Sequence, residues 1–443
     1  MSDKYDKILQ TRLESYIKDD KDYWSFRGKA AREHAHAYFQ YPAMMVPQMQ
    51  GQLMSIMKEV VPNIKKVLDP FVGSGTSMTE AMLQDFDFVG QDVNPFAYLL
   101  CKVKSGPFFI NKIDSKVQLI NERIDRYKSL KIEANFAGLN KWFQPNVSIE
   151  LSQIKKAIKN ESSTWARRFF WIALAETIRL TSNCRTSTFK LHIRPKEEIE
   201  KRNISAKNTF KDILYRNIDR FSKIYELLCQ KKLLRNGHYK RQIDLNIGNT
   251  AAEIINGEES DLLITSPPYG DNRTTVPYGQ YSYLPLQWIP SCDITPKLAA
   301  TYLKTTSEID RQSLGGIQKD AISKSRYLCN VSSTFERAMN KLENDPLDCQ
   351  ARLASFCTDI DSSIKVITDS LKPNSYMIWI LGNRRIANKN IPLDTILSEL
   401  LTEKGAKLIA NLKRKILNKR SANKNNTTST IGSESILVFR KTA

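Results

Sequence analysis

The chain has 443 residues, 41% of them hydrophobic, enough to bury a sizeable core and to build two or more domains. Lys and Arg number 67 against 47 Asp and Glu, a formal charge of +20 that favours a polyanionic partner such as nucleic acid. No apolar run approaches the roughly 20 residues of a bilayer-spanning helix, the charged opening stretch MSDKYDKILQTRLESYIKDDKDYW does not read as a signal peptide, and the seven cysteines form no CxxC pair, which points to reduced thiols and a cytoplasmic protein.

Residues up to about Lys29 read as polar helix. Pro42 and Pro47 interrupt a loop, after which Met49, Leu53, Ile56, Met57 and Val60 recur at helical spacing. The stretch KVLDPFVGSGTSMTEAMLQDFDFVGQDVNPFAYLLCKVKS predicts a strand at Lys66–Leu68, a glycine loop, a helix over Ser77–Gln84, a strand over Phe86–Gln91 and a helix over Pro95–Lys102. Such a βαβ unit calls for a parallel sheet with a right-handed crossover. From about Ser105 to Gln242 long charged segments carry helical periodicity, with one basic loop, NCRTSTFKLHIRPKEEIEKRN. The sheet resumes at QIDLNIGNTAAEII and SDLLITSPPYGD. Residues 272–344 read as irregular, with an aromatic-rich TTVPYGQYSYLPLQW that is either pocket wall or core. The end of the chain reads as a helix and a fully apolar strand (YMIWILGN), a helix stopped at Gly405 and a strand, a polar loop (SANKNNTTSTIGS), and a last strand, ESILVFRK.

Two of these turns carry chemistry. In VLDPFVGSGT, Gly73 and Gly75 fall between a strand and a helix, where glycine lets the backbone turn tightly and approach a ligand. Asp92 lies roughly 20 residues on, at the end of the next strand, where a carboxylate accepts from a ribose diol. Met78 occupies the third glycine position of GxGxxG, which disfavours a nicotinamide or flavin dinucleotide. In TSPPYG, Pro267 and Pro268 fix φ and lack N–H groups, so the turn is stiff and its carbonyls are free to accept. Ser266 adds a further acceptor and Tyr269 a flat ring, an arrangement suited to an exocyclic amine on a nucleobase. Taken singly, the glycine loop is also a plain tight turn, and SPPY a strand terminator with Tyr269 in the core.

Together DPFVGSGT (Asp69–Thr76) and TSPPY (Thr265–Tyr269) resemble the amino-methylating DNA methyltransferases, most closely the cytosine-N4 group. The resemblance covers about half the chain. It implies a Rossmann-like α/β fold with a mostly parallel seven-stranded sheet, a terminal antiparallel hairpin and a helical insertion. It implies S-adenosylmethionine as cofactor, bound by Pro42, Ala43, Asp69, Phe71, Gly73, Gly75, Thr76, Asp92 and Asn249. Asn249 stands where the family often has Asp. Ser266, Pro267, Pro268 and Tyr269 would form the catalytic turn, with Ser266 and the Pro267 carbonyl holding the amine and Tyr269 stacking on a base turned out of the duplex. The catalytic domain would comprise residues 1–104, 243–271 and 345–443, with 105–242 and 272–344 as candidate target-recognition regions.

Double-stranded DNA is the expected partner. Candidate phosphate contacts are Arg179, Arg185, Lys190 and Arg194 around the basic loop, and Lys413, Arg414, Lys415, Lys419 and Arg420 near the end. The resemblance also implies a place in a prokaryotic restriction–modification system, with a cognate endonuclease acting separately. No metal is expected, because the histidines and cysteines show no ligand spacing. Methylation at cytosine C5 is disfavoured, since no cysteine follows a proline. Adenine-N6 methylation, RNA amino-methylation, and nucleic-acid binding without turnover stand as alternatives.

Overall fold

The computed structural model describes residues 2–29, 32–272, 274–296, 298, 300–416 and 432–442. Seven strands form one sheet: β1 (Lys66–Asp69), β2 (Asp87–Asp92), β3 (Ile243–Ile247), β4 (Ser260–Thr265), β5 (Leu371–Gly382), β6 (Ala406–Lys415) and β7 (Ser433–Lys441). Their spatial order is β6-β7-β5-β4-β1-β2-β3. The five strands from β5 to β3 run parallel, while β7 is antiparallel to both β5 and β6. This is the Rossmann-like methyltransferase arrangement expected from the sequence.

Side-chain alternation explains why the sheet strands read as apolar runs. Val67, Phe88, Leu262, Ile264, Ile378 and Ile380 belong to one buried cluster. Their neighbours Leu68, Val89, Leu263, Met377, Trp379 and Leu381 belong to another. Successive residues of a strand face opposite sides, so both faces are covered and neither can be polar. Each such side chain contributes about 1.5–3 kcal/mol by leaving water.

Eleven of the helices position these layers: α1 (Ser2–Asp19), α2 (Pro47–Val60), α3 (Thr76–Leu83), α4 (Pro95–Lys104), α5 (Ile110–Arg126), α6 (Pro145–Lys159), α7 (Thr164–Thr181), α8 (Ala206–Gln230), α9 (Tyr278–Trp288), α10 (Leu347–Ser370) and α11 (Leu393–Glu403). Helix α1 stops ten residues short of the expected Lys29, because the Asp20 carboxylate accepts the Asp22 N–H at 2.8 Å and draws the chain out of helix. Its Leu9 and Leu13 are buried. Its Asp6 accepts from Tyr376 Oη (2.9 Å), Arg440 Nε (2.9 Å) and Lys407 Nζ (3.0 Å), which fastens it to β5, β7 and β6.

Residues 105–242 are mostly helical, with loops at 127–138 and 182–195 and a two-stranded hairpin at Leu234–Arg235 and His238–Tyr239. Within α7 the run Phe169–Ala175 is buried on every side. It packs among α4, α6, α8 and α9, and its apolar residues join the same cluster that backs β1 and β4. The region read as irregular, 272–344, contains α9, in which Tyr283, Leu284, Leu286 and Trp288 are core while Tyr278 faces the site described next. No described helix is long and apolar enough to cross a membrane.

Candidate active site

Chain order reverses between β1 and β4: successive strands β1, β2 and β3 step one way, while β4 and β5 step the other. In open α/β sheets the crevice beyond the carboxyl ends at such a point is where ligands bind. The two motif turns leave the sheet there side by side. Between them lies a cleft of about 790 Å³, part of it open to solvent. Its lining includes Tyr41–Met45, Pro70–Ser74, Asp92–Asn94, Ser266 and Pro268.

Buried Asp69, the last residue of β1, joins the turns. Its Oδ1 accepts from Thr265 Oγ1 at 2.6 Å and from the Phe71 N–H at 3.1 Å, and its Oδ2 accepts from the Ser77 hydroxyl. Burial pushes this carboxyl up to about 6, against the three hydrogen bonds that pull it down. One carboxylate thus holds the glycine loop, the start of α3 and the root of SPPY in a fixed relation. Thr250 adds a second tie, donating to the Pro70 carbonyl at 2.7 Å.

The glycine loop turns as its residues require. Gly75 caps α3 at φ 73°, and a Cβ there would stand 2.8 Å from Cys101 Sγ. Gly73 donates its N–H to Asp92 Oδ2 at 2.9 Å, and Asn94 donates its own to Oδ1 at 2.8 Å. Asp92 therefore holds the loop while retaining acceptor capacity on both oxygens. Burial raises this carboxyl to about 6; the Asn94 and Gly73 N–H bonds oppose the rise and the nearby Asp69 adds to it.

Opposite, the segment 41–45 closes the cleft. Tyr41 stacks on Tyr278 of α9, with ring centroids 5.9 Å apart. The Asn94 amide donates to Tyr41 Oη (3.1 Å) and Ser282 Oγ (2.8 Å), while its carbonyl caps α4 through the Phe96 N–H. Ala43 sits at φ 46°, a strained conformation for a residue with a Cβ.

No protein-family model matches the sequence. The chain is 31% identical to the type II methyltransferase M.MvaI of Kocuria varians over 459 aligned positions, covering 98% of this chain and 96% of that protein. The chain belongs to the type II methyltransferases. A second member, M.MjaII of Methanocaldococcus jannaschii, is 29% identical over 85 residues, 19% of this chain and 16% of that one. Among solved structures, the rRNA methyltransferase aviRa from Streptomyces viridochromogenes aligns over 93% of this chain and 97% of its own at 10% identity, with a TM-score of 0.29, too slight a likeness to carry an argument.

In this type II methyltransferase Pro42, Ala43, Phe71, Gly73, Thr76, Asp92 and Asn249 all line the cleft, while Asp69 and Gly75 support it from behind. Of the SPPY turn, Ser266 and Pro268 line the cleft and Pro267 is buried. Half-buried Tyr269 carries its hydroxyl to Ser266 Oγ (3.0 Å) and Glu434 Oε1 (3.0 Å). Beyond the turn, buried Asp271 accepts from Arg384 at 3.2 Å, and Arg384 also donates to Thr274 Oγ1 at 2.9 Å. Gly270 must be glycine: at φ 135° its Cβ would fall 1.8 Å from that guanidinium.

Sequence reasoning did not single out Tyr41, Asn94, Thr250 or Glu434 as site residues. Asn94 had a signal, since Asn before Pro is a helix-start pattern. Glu434 had none, because only strand pairing brings it near SPPY.

The methyltransferase's basic residues divide. Arg185 and Lys190 are exposed on a loop that leans on α9, with Phe189 against Tyr281 (5.8 Å) and the Leu191 N–H bound to Gln280. Arg194 donates to the Cys184 carbonyl and to Glu198. Arg179 is paired with Glu176, Lys413 with Asp394 and Lys415 with Asp22. Arg414 is buried against Glu434, so its charge is spent inside the fold. Lys419 and Arg420 lie outside the described residues.

Folding also brings together a trio that spacing did not reveal: donor atoms of His34, His36 and Glu80 lie within 4.8 Å of one another. His36 Nε2 and Glu80 Oε1 already satisfy each other at 2.8 Å. Burial lowers His34 to about 4 and raises Glu80 to about 7. The Lys104 ammonium bears on both imidazoles, which opposes a further cation.

Proposed function

We propose that the protein methylates the exocyclic N4 amine of cytosine in duplex DNA, with S-adenosylmethionine as donor and the target base turned out of the helix, as the modification activity of a restriction–modification system. The observation that carries this reading is the shared cleft: Ser266 and Pro268 face the same space as Gly73 and Asp92. Asp92, with acceptor capacity left on both oxygens, fits the two hydroxyls of a ribose. The tight Gly73–Gly75 turn leaves room for the rest of the nucleoside, with Asn249 beside the base and Pro42–Ala43 over the methionine end. The donor supplies an electrophilic methyl on a sulfonium.

The chain's own part is orientation. Cytosine N4 is conjugated with its ring and is a weak nucleophile. Ser266 Oγ and the Pro267 carbonyl hold its hydrogens and set the lone pair toward the methyl. Two consecutive prolines keep those acceptors from drifting, and alignment of this kind contributes several kcal/mol, about 7–11 in favourable intramolecular cases. The Tyr269 ring receives the extruded base, offsetting an unstacking cost of a few kcal/mol.

The test is incubation with labelled methyl donor and DNA, followed by digestion and nucleoside mass spectrometry. N4-methylcytosine is expected; N6-methyladenine, or label confined to RNA, overturns the assignment. Ser266→Ala is expected to lower transfer far more than cofactor affinity, and equal losses in both remove the role given to that hydroxyl.

A further inference from the structure

We propose that Glu434, anchored by Arg414, fixes the direction of hydrogen bonding through Tyr269 so that Ser266 meets the target amine as an acceptor. This rests on the reading of Ser266 as the amine-facing group. Two residues far from SPPY in the sequence, one of them expected on DNA phosphates, thereby become positioning residues of the methyl-transfer site.

The geometry begins with strand pairing. Arg414 of β6 and Glu434 of β7 are direct partners in the antiparallel ladder, and opposed Cβ atoms there lie about 4.5–5.5 Å apart. The Arg414 guanidinium donates to Glu434 Oε2 at 2.7 Å, with both side chains largely buried. Glu434 Oε1 accepts from Tyr269 Oη at 3.0 Å, and Tyr269 Oη lies 3.0 Å from Ser266 Oγ.

Proton counting settles the polarity of this chain. A carboxylate paired with arginine only accepts. Tyr269 has one hydroxyl proton, and Glu434 takes it. Burial first, and then the Glu434 charge, hold this phenol well above its usual range, so the proton stays on Tyr269. Tyr269 Oη can therefore only accept from Ser266, whose single proton is used there. What remains of Ser266 toward the cleft is acceptor capacity alone. A free serine could instead donate to the amine nitrogen and occupy the lone pair that must attack. The chain forbids that orientation, and polarisation along it strengthens Ser266 as an acceptor as N–H acidity develops. As the N4–methyl bond forms, the methyl–sulfonium bond breaks with its electron pair left on sulfur as a thioether, and the methylated amine releases its surplus proton to solvent, so none has to travel along the chain.

The decisive variants are Tyr269→Phe, Glu434→Gln and Ser266→Ala. Tyr269→Phe keeps the ring and removes the link. Glu434→Gln is isosteric, but its amide can donate to Tyr269 and so turn the Tyr269 proton toward Ser266. Total methyl incorporation at saturating DNA and cofactor is read, with cofactor Kd and KM for DNA alongside. Each of the first two variants is expected to lower kcat by about ten-fold or more, with Kd and KM within roughly two-fold of the parent. Glu434→Gln is expected to be at least as slow as Tyr269→Phe, the reverse of what a packing role gives for an isosteric change. Ser266→Ala combined with Tyr269→Phe is expected to be no slower than Ser266→Ala alone.

Parental kcat in Glu434→Gln, or losses that multiply in the double variant, overturn the proposal. Should Glu434→Gln fail to fold, as a urea midpoint shows, Tyr269→Phe and the double variant decide. Product identity separates this from the base assignment. N6-methyladenine as product removes cytosine and leaves the chain under test, whereas no transfer by the parent to any nucleic acid overturns both.

Discussion

Single residues set the terms of the site, and Asp69 and Asp92 show how. Both carboxyls are raised to about 6, chiefly by burial, from an ordinary value of 3.8. A raised carboxyl is protonated in the folded protein over a range where the free group is already ionised. The proposed ribose contact needs Asp92 as carboxylate, because two hydroxyl donors require acceptors. Cofactor affinity is therefore expected to be full above about pH 7 and to fall as pH drops through about 6, approaching ten-fold per unit below it. Asp92→Asn is expected to weaken binding at neutral pH and to flatten that fall, as read by calorimetric titration from pH 5 to 8. An unchanged pH profile in the variant would move the effect to Asp69. The placement of Asp92 beside the glycine loop was legible in the sequence from its spacing to that loop. That of Asp69 as the joint between two turns was not, because its partner Thr265 lies 196 residues away.

At the scale of elements, the sheet strands and their flanking helices were legible because burial on both faces leaves continuous apolar runs. Boundaries moved by a residue or two, as at β1, which extends to Asp69 once that side chain is satisfied. Segment 278–288 was less legible: an internal Pro285 and alternating Tyr and Leu obscure helical periodicity, yet the chain is helical and Tyr278 reaches the cleft. The brace behind SPPY was invisible for a simpler reason. Arg384 leaves the end of β5 and meets Asp271 across 113 residues. Both are buried, at 5% and 0% exposure, so neither charge has water to fall back on. Arg384→Ala is expected to destabilise the fold by about 3–5 kcal/mol, the usual result of stranding one member of a buried pair. Urea unfolding followed by tryptophan fluorescence reads this as a lower midpoint with unchanged slope. A shift below about 1 kcal/mol would mean that water or Thr274 has replaced the guanidinium.

For the whole molecule, +20 is spread unevenly in availability. Arg414 is buried against Glu434, Lys413 and Lys415 are exposed but paired with Asp394 and Asp22, and Arg185 and Lys190 stand exposed on a loop braced by α9, the helix that also supplies the cleft wall. Net charge alone could not sort these groups, since sequence does not reveal which cations the fold consumes. DNA binding is expected to weaken steeply with salt, and Arg185→Ala with Lys190→Ala to reduce the slope of log K against log salt by about one for each phosphate left without its cation. Fluorescence anisotropy across a salt series measures it; an unaltered slope removes the basic loop from the interface.

The fastening of α1 has its own consequence in time. Asp6 is bound by Arg440, 434 residues further along. At about 5–20 residues per second of synthesis, the helix emerges tens of seconds before the strands that receive it exist. Throughout that interval α1 has α2 to pack against, but Asp6 has none of Tyr376, Lys407 and Arg440 to satisfy its carboxylate. The contact of α1 with the sheet therefore closes only after the strands that hold Asp6 have been made.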